Sequence, residues 1–195
     1  MNYNITNKIE YIGVNDKTLD LFESQYVIPN GISYNSYIIQ DEKTVIMDTV
    51  DKRKVDEWLQ NVENVLENKK PDYLVVSHLE PDHSAGISII TEKYSEMKIV
   101  LSKRAKDMLL QFINKDLSNR LIVVQEGDIL ELGHQHGTSS GLPGPFERKR
   151  PSGESCSIVS LVVFQGRTVT SQPQSFRRRT MFCFIPQSIA ATWYR

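Results

Sequence analysis

Residues 72–86 read DYLVVSHLEPDHSAG, and this stretch decides the fold class of the chain. Its apolar part, residues 73–76, is typical of a strand that is buried on both faces. Polar residues come directly after it, and residues 84–94 (SAGISIITEKY) have the spacing of a helix. The stretch therefore predicts a buried strand, a polar loop and a helix, which is the repeating unit of an α/β domain.

Four potential metal ligands lie in that polar loop, namely His78, Glu80, Asp82 and His83. In an extended chain His78 and Glu80 point to the same side, and Pro81 stiffens the turn that brings the other two round. Two imidazoles and two carboxylates bind divalent metals well, and crowding them without a cation is electrostatically poor. The loop therefore predicts a divalent metal site. The alternative is a polar surface loop with two solvated histidines.

The rest of residues 1–133 predicts strands and helices in alternation. Strands are predicted at residues 8–14 and 98–101, helices at 52–67 and 104–114, and hairpins at 34–40 with 44–48 and at 121–125 with 128–132. Ser84 is predicted to cap the helix after the metal loop, and Gly86 to allow a close backbone approach. This alternation, with its recurring hairpins, predicts an α/β domain with a mixed sheet.

Composition describes a soluble globular chain of 195 residues, of which 39% are hydrophobic and 24% charged. No apolar run approaches the roughly 18 residues that a membrane-spanning helix needs, and the N-terminus lacks the features of an export signal. We therefore expect a cytoplasmic protein without a membrane partner. Cys156 and Cys183 are too few for a disulfide framework or a thiolate metal site.

The character of the sequence changes at about Gly133. Residues 1–133 contain 15 basic side chains, 22 acidic ones and eleven Asn, whereas residues 134–195 contain 8 basic side chains, 2 acidic ones and neither Asn nor Asp. The second part has the composition of linkers and disordered segments, and only residues 156–164 resemble a strand. We therefore predict that 134–195 is an atypical tail, which is frame-shifted, fused or disordered. Its three arginines at 177–179 lack an accompanying aromatic ladder, so we expect no nucleic-acid partner.

The pattern His-x-Glu-x-Asp-His after a buried strand resembles the metal motif of the metallo-β-lactamase superfamily. The hydrolases of that superfamily mostly have His in the second ligand position, whereas Glu80 there is similar to the flavodiiron proteins, also called A-type flavoproteins. Three further stretches agree with that family in the right order: YIGVNDKTLDLFE (11–23), GISYNSYIIQ (31–40) and TVIMDTVD (44–51). The resemblance covers about residues 8–133.

The resemblance implies a metallo-β-lactamase-like αββα sandwich, of which this chain would hold the first half. It also implies a cytoplasmic oxidoreductase that reduces dioxygen to water, nitric oxide to nitrous oxide, or both. Family members carry a di-iron centre in this domain and FMN in a second, flavodoxin-like domain. They pair as head-to-tail homodimers and accept electrons from a donor such as rubredoxin or a reduced flavin protein.

By position in the motif, the resemblance implies that His78 and Glu80 ligate one iron, and that Asp82 and His83 ligate the other. A carboxylate-rich site also suits iron, whereas a more His-rich site suits zinc. Asp48, at the end of a predicted strand, is expected to hold the ligand loop in place without binding the metal itself. The alternative for this residue is an ordinary carboxylate in a turn.

The chain departs from the family pattern after the first motif. The family completes its site with a later His, a bridging Asp and a further His. In this chain Pro145 lies where the first of these histidines is expected. The only histidines after the motif are His134 and His136, and no Asp follows Asp128. The flavodoxin-like domain is not encoded in these residues either. We therefore expect a truncated or frame-disrupted form that is inactive alone.

Two other functions remain open at this point. One is a hydrolase of the same superfamily that uses two zinc ions to activate water, against which Glu80 argues. The other is a non-catalytic remnant, which the missing bridging carboxylate favours.

Overall fold

The computed structural model describes residues 3–6, 8–22, 26–125, 127–133, 135–140 and 161–166. The strands are β1 (Tyr3–Thr6), β2 (Ile9–Tyr11), β3 (Val14–Asp16), β4 (Leu21–Phe22), β5 (Tyr26–Val27), β6 (Ile32–Tyr34), β7 (Tyr37–Gln40), β8 (Thr44–Met47), β9 (Tyr73–Val75), β10 (Lys98–Ser102), β11 (Leu121–Val124), β12 (Ile129–Glu131), β13 (Gln135–Ser140) and β14 (Leu161–Gly166). The helices are α1 (Val55–Leu66), α2 (Pro81–Ser84), α3 (Ile87–Lys93) and α4 (Lys103–Phe112), with 3-10 turns at Lys52–Lys54 and Ser118–Arg120. Among the helices of this described part, none has the length and apolar character needed to cross a membrane.

Seven strands form one mixed sheet in the order β1-β2-β7-β8-β9-β10-β11. The pairs from β1 to β8 are antiparallel and include the predicted hairpin of β7 with β8. The pairs from β8 to β11 are parallel. Parallel neighbours need a crossover between them, and α1, the α2–α3 pair and α4 supply the three crossovers. The predicted α/β architecture with a mixed sheet is confirmed.

An apolar row crosses this sheet and faces the helices. Ile38, Ile46, Leu74 and Ile99 pair in register and are fully buried, and Leu121 extends the row at the edge. They belong to the larger of two apolar cores, which fills the space between the sheet and the helices. A smaller core covers the opposite face and contains Ile9, Ile39, Val45, Met47, Val75, Val100 and Leu132. Leu74 and Val75 therefore face opposite cores, which confirms that the strand before the metal loop is buried on both faces.

Two predicted elements differ from their predicted bounds. The strand predicted at 8–14 is interrupted after β2, because β2 pairs with β7 in the large sheet whereas β3 pairs with β6 in a separate sheet. The helix predicted at 84–94 forms only from Ile87 onward, as α3, and the separate one-turn helix α2 precedes it. Ser84 does not cap α3, because its hydroxyl donates backwards to the carbonyls of Leu79 and Glu80.

The hairpin predicted between 121–125 and 128–132 is wrong. β11 pairs in parallel with β10 in the large sheet, whereas β12 pairs with β13 in a separate sheet of order β12-β13-β14. The physical reason lies in β11, whose Leu121 packs on the helix-side core while Ile122 and Val124 pack on the other. A strand with apolar residues on both faces is better buried beside β10 than in a hairpin with the exposed Ile129 and Glu131.

The small sheet lies across the predicted domain boundary at Gly133. β12 precedes this residue, and β13 and β14 come after it, so backbone pairing continues into the predicted tail. The strand predicted at 156–164 overlaps β14 only from Leu161 onward. Other predictions concern His134, Pro145, both cysteines and the arginines at 177–179, all of which lie outside the described residues. The division into 1–133 and 134–195 therefore stays a prediction.

Candidate metal centre

The four predicted ligands lie together at the carboxyl end of β9. His78 and Glu80 lie in the segment between β9 and α2, whereas Asp82 and His83 lie in the one-turn helix α2 and not in an open loop. Pro81 begins this helix, a position for which its fixed φ is suited. Both imidazoles and the Asp82 carboxyl group are buried, and Glu80 is half-buried.

The side chains of the four residues converge as two imidazole–carboxylate pairs. His78 Nε2 lies 3.5 Å from Glu80 Oε2, and His83 Nε2 lies 3.4 Å from Asp82 Oδ2. The two imidazole rings are 4.0 Å apart between centroids. Two ligands of one metal at about 2.0–2.2 Å lie at most about 4.4 Å apart, so each pair is within that limit. The geometry agrees with the predicted pairing, and metal ligation by these residues stays a prediction.

Asp48 contacts the predicted ligand His83 and the adjoining Ser77 from the end of the neighbouring strand β8. Its Oδ1 accepts a hydrogen bond of 2.7 Å from the Ser77 N–H, and its Oδ2 accepts one of 2.5 Å from the Ser77 hydroxyl. His83 Nδ1 lies 3.2 Å from the same Oδ2. Because β8 and β9 are parallel, their carboxyl ends meet at one edge of the sheet, and a fully buried carboxylate joins them.

Within the described residues, two overlapping triplets of side chains have the spacing of a metal site. One consists of Asp48, His78 and His83, and the other of His78, Glu80 and Asp82. The Asp48 oxygens already lie within hydrogen-bond distance of the Ser77 N–H, the Ser77 hydroxyl and His83 Nδ1. The second triplet, completed by His83 Nε2, is therefore the better donor set, and Asp48 fits the predicted supporting role.

The surroundings shift the pKa values of Glu80, Asp82 and His83 in different directions. Burial raises the pKa of Asp82, whereas the hydrogen bond with His78 lowers the pKa of Glu80. For His83, burial alone would lower the pKa, but the hydrogen bond with Asp48 and the nearby carboxylates raise it above its ordinary value. A divalent cation would offset the cost of burying the ionised Asp82 and would suit this mixture of nitrogen and oxygen donors. The residues present therefore fit a divalent metal.

Four supporting residues escaped the sequence analysis: Ser77, Thr49, Ser36 and Trp58. Thr49 donates from its N–H and its hydroxyl to the His83 carbonyl, each over 2.9 Å, and so ties α2 to the end of β8. The Trp58 indole donates to the Ser36 hydroxyl, which donates to the Asp48 carbonyl. Ser77 precedes the first residue of the metal motif, and Thr49 follows Asp48, which was predicted from its place at a strand end. Ser36 and Trp58 are adjacent to no predicted site residue, so their sequence positions do not indicate a role at the site.

Gly86 has the predicted close approach. A Cβ at this position would lie 3.0 Å from Thr49 Cβ and 3.1 Å from Trp58 Cζ3. Its N–H also donates to the Thr49 hydroxyl over 3.1 Å. The glycine therefore lets the backbone after α2 pack directly on Thr49 and Trp58.

A family model described as ODP family beta lactamase matches residues 32–166 of the chain. The chain belongs to this family. The match begins in β6 and ends with β14, so it includes the metal motif and both strands that lie beyond Gly133.

Named relatives of this ODP-family chain are flavodiiron proteins and flavorubredoxins. It is 32% identical over 130 residues to the flavo-diiron protein FprA2 of Clostridium acetobutylicum, covering 67% of this chain and 32% of that protein. It is 32% identical over 135 residues to the anaerobic nitric oxide reductase flavorubredoxin of Vibrio vulnificus, covering 69% and 27%. The chain thus spans about a third or less of the length of these two relatives.

A solved structure shows the same fold. Rubredoxin oxygen:oxidoreductase from Desulfovibrio gigas matches with a TM-score of 0.71 and 28% identity, covering 85% of this chain and 38% of that one. Together with the family match, this confirms the metallo-β-lactamase-like fold and the resemblance to flavodiiron proteins. The expected iron and flavin cofactors agree with the names of the relatives. The individual ligand assignments stay predictions.

Proposed function

We propose that this chain is the metal-binding part of a flavodiiron-type oxidoreductase that reduces dioxygen to water, nitric oxide to nitrous oxide, or both. The observation that carries the proposal is the pairing of each buried imidazole Nε2 with one carboxylate, His78 with Glu80 and His83 with Asp82. The names of the relatives, which include a nitric oxide reductase and an oxygen oxidoreductase, support the same class of reaction.

Each residue has a specific part in this proposal. His78 and Glu80 would hold one iron, and His83 and Asp82 would hold the second. Iron held by these residues would bind the gaseous substrate and pass electrons from the donor to it. Asp48 and Thr49 hold the ligands in place, and burial of both imidazoles keeps bulk water away from them. Electrons reach the site through FMN in a flavodoxin-like domain and a donor such as rubredoxin, in a head-to-tail homodimer.

The 195 residues alone are expected to bind iron weakly and to lack turnover. A two-metal site needs a bridging ligand and further donors to fix both ions at reactive distance. Within the described residues only four convergent donors and the supporting Asp48 lie at this site. The flavin that would deliver electrons is expected in other residues than these.

The test is to load the purified chain anaerobically with ferrous iron, and to measure bound iron and the reduction of oxygen or nitric oxide with reduced rubredoxin or flavodoxin. We expect fewer than two irons per chain and no sustained turnover. In Glu80→Gln we expect iron affinity to fall about tenfold or more, because one charged donor is lost. Glu96→Gln, at an exposed glutamate outside the site, is the matched control and should leave iron binding unchanged.

Three outcomes would contradict parts of the proposal. Two irons with sustained turnover would show that this chain supplies the missing ligands. Equal iron binding by wild type and Glu80→Gln would exclude the assigned site. Tight zinc binding in preference to iron, with hydrolytic activity, would favour the di-zinc hydrolase instead.

A further inference from the structure

The backbone of Asp48 is held at both of its peptide groups. Its φ is 54°, in the left-handed region that residues other than glycine rarely adopt. Its N–H donates to the Val75 carbonyl of β9 over 2.9 Å. Its own carbonyl accepts a hydrogen bond of 2.9 Å from the Ser36 hydroxyl. A residue stays in such a conformation only where its surroundings fix it, and these two hydrogen bonds fix the backbone from two sides.

The Ser36 hydroxyl has a defined orientation between its two partners. The Trp58 indole N–H, 3.0 Å away, can only donate, and the Asp48 carbonyl can only accept. The hydroxyl therefore accepts from Trp58 and donates to Asp48. All three residues have an exposed fraction of 0%, so bulk water does not compete for these bonds. An indole, a hydroxyl and a carbonyl do not titrate while the chain is folded, so the arrangement is independent of pH.

These hydrogen bonds connect a helix to the carboxylate beside the predicted ligands. Trp58 lies on α1, Ser36 lies between β6 and β7, and Asp48 follows β8. The Asp48 carboxylate accepts from the N–H and the hydroxyl of Ser77 and lies 3.2 Å from His83 Nδ1. Because the direction of a Cα–Cβ bond follows from the backbone dihedrals, a change of φ at Asp48 would turn this carboxylate away from both partners.

We propose that Ser36 and Trp58 are positioning residues, which hold Asp48 in its left-handed conformation and thereby direct its carboxylate toward Ser77 and His83. The inference rests on the proposed metal site for its purpose, whereas the conformation of Asp48 is a property of the metal-free chain. Residues that orient the ligands of a metal through hydrogen bonds affect its affinity without touching it. Here the orientation begins one step further out, at the backbone of the supporting carboxylate.

The first measurement is the conformation of Asp48 in the metal-free chain by nuclear magnetic resonance. A strong Overhauser effect between the amide and α protons of Asp48 reports a positive φ. The chemical shift of the Ser77 amide proton reports its 2.7 Å hydrogen bond to Asp48 Oδ1. We expect the wild type to show a positive φ and a downfield Ser77 amide, and folded Ser36→Ala to lose both. A negative φ at Asp48 in the wild type would overturn the inference without any variant.

The second measurement compares ferrous iron affinity across variants. Ser36→Ala should lose about tenfold, the lower end of the effect of removing an outer partner of a metal ligand. Trp58→Phe removes only the indole N–H from the hydrogen bonds and should lose less, because the Ser36 hydroxyl can still donate to the Asp48 carbonyl. Ser102→Ala is the control, because it removes a serine hydroxyl that caps α4, and it should leave iron affinity and the Asp48 signals unchanged.

The outcomes separate this inference from the proposed function. Loss of both signals in Ser36→Ala, with no iron bound even by the wild type, would contradict the proposed function alone. An unchanged φ at Asp48 and an unchanged Ser77 amide in folded Ser36→Ala would contradict the positioning role, whatever the iron affinity. If Ser36→Ala fails to fold, Trp58→Phe decides: an upfield move of the Ser77 amide supports the positioning role, and an unchanged shift contradicts it.

Discussion

Asp48 has a backbone φ of 54°, a region that residues other than glycine rarely adopt. The strain is compensated because this geometry directs the carboxylate toward Ser77 and His83, while the Asp48 N–H donates to the Val75 carbonyl. Such a residue is typical of functional sites, where local strain persists because its surroundings hold it in place. The sequence identified Asp48 only by its place at a strand end, and φ cannot be read from that.

At the residue scale we predict different costs for two substitutions of Asp48. Asp48→Asn keeps a side chain that tolerates positive φ but removes the charge, and should lower the free energy of unfolding by about 1–3 kcal/mol. Asp48→Ala should cost about 1–2 kcal/mol more, because alanine tolerates the positive φ less well and also leaves the Ser77 N–H, the Ser77 hydroxyl and His83 Nδ1 without their acceptor. Urea denaturation measures both. Asp107→Ala, at an exposed position of α4, should stay within about 0.5 kcal/mol of wild type. Equal values for all three would contradict this account.

Among the secondary-structure elements, the sequence predicted the helices and strands whose apolar residues recur at the regular spacing of a helix or lie in one continuous run. The β7–β8 hairpin, α1, β9, β10 and α4 all appear close to their predicted bounds. Errors arose where pairing depends on residues far away in sequence, as for β11. Its apolar residues suit a hairpin or a buried parallel strand equally, and only the presence of β10 beside it decides between them.

Arg120, directly before β11, connects this strand to the end of α3 and to the segment that follows it. Its guanidinium donates to the backbone carbonyls of Thr91, Tyr94 and Met97, at the end of α3 and in the connection to β10. Arg120→Ala should lower the free energy of unfolding by about 2–3 kcal/mol, because three carbonyls lose a charged donor. Arg120→Lys should fall between, since lysine lacks the planar fork. Lys70→Ala, at an exposed lysine, is the control, and an Arg120→Ala variant as stable as this control would exclude the bridging role.

At the scale of the whole molecule, the two sheets differ in how they are supported. β8 and β9 lie in the middle of the seven-stranded sheet with an apolar core on each face. β12, in contrast, has exposed Ile129 and Glu131 beside the half-buried Leu130. The convergence of His78, Glu80, Asp82 and His83 could be predicted because these residues lie within six positions of one another in sequence. Strands β13 and β14 could not be predicted in the same way, because the sequence after Gly133 lacks a clear alternation of apolar and polar residues. Their pairing also depends on β12, which lies before Gly133.

Hydrogen exchange should therefore separate the two sheets. Amides of β8 and β9 should exchange only by global unfolding, whereas those of β13 and β14 should exchange faster. Mass spectrometry of peptides from the exchanged chain measures this difference. Equally slow exchange in both sheets would show that residues after Gly133 complete a continuous domain, and would contradict the predicted division at that residue.

The position of the metal is the central claim for the molecule as a whole. The most direct measurement is a crystal structure of the chain loaded anaerobically with ferrous iron, with anomalous diffraction recorded at the iron edge. We predict an anomalous peak at about 2.0–2.2 Å from the Nε2 of His78 or His83 and from the carboxylate of Glu80 or Asp82. Asp48 should remain bonded to Ser77 and His83. A peak at another place, a peak bound through Nδ1, or no peak at this site would contradict the account.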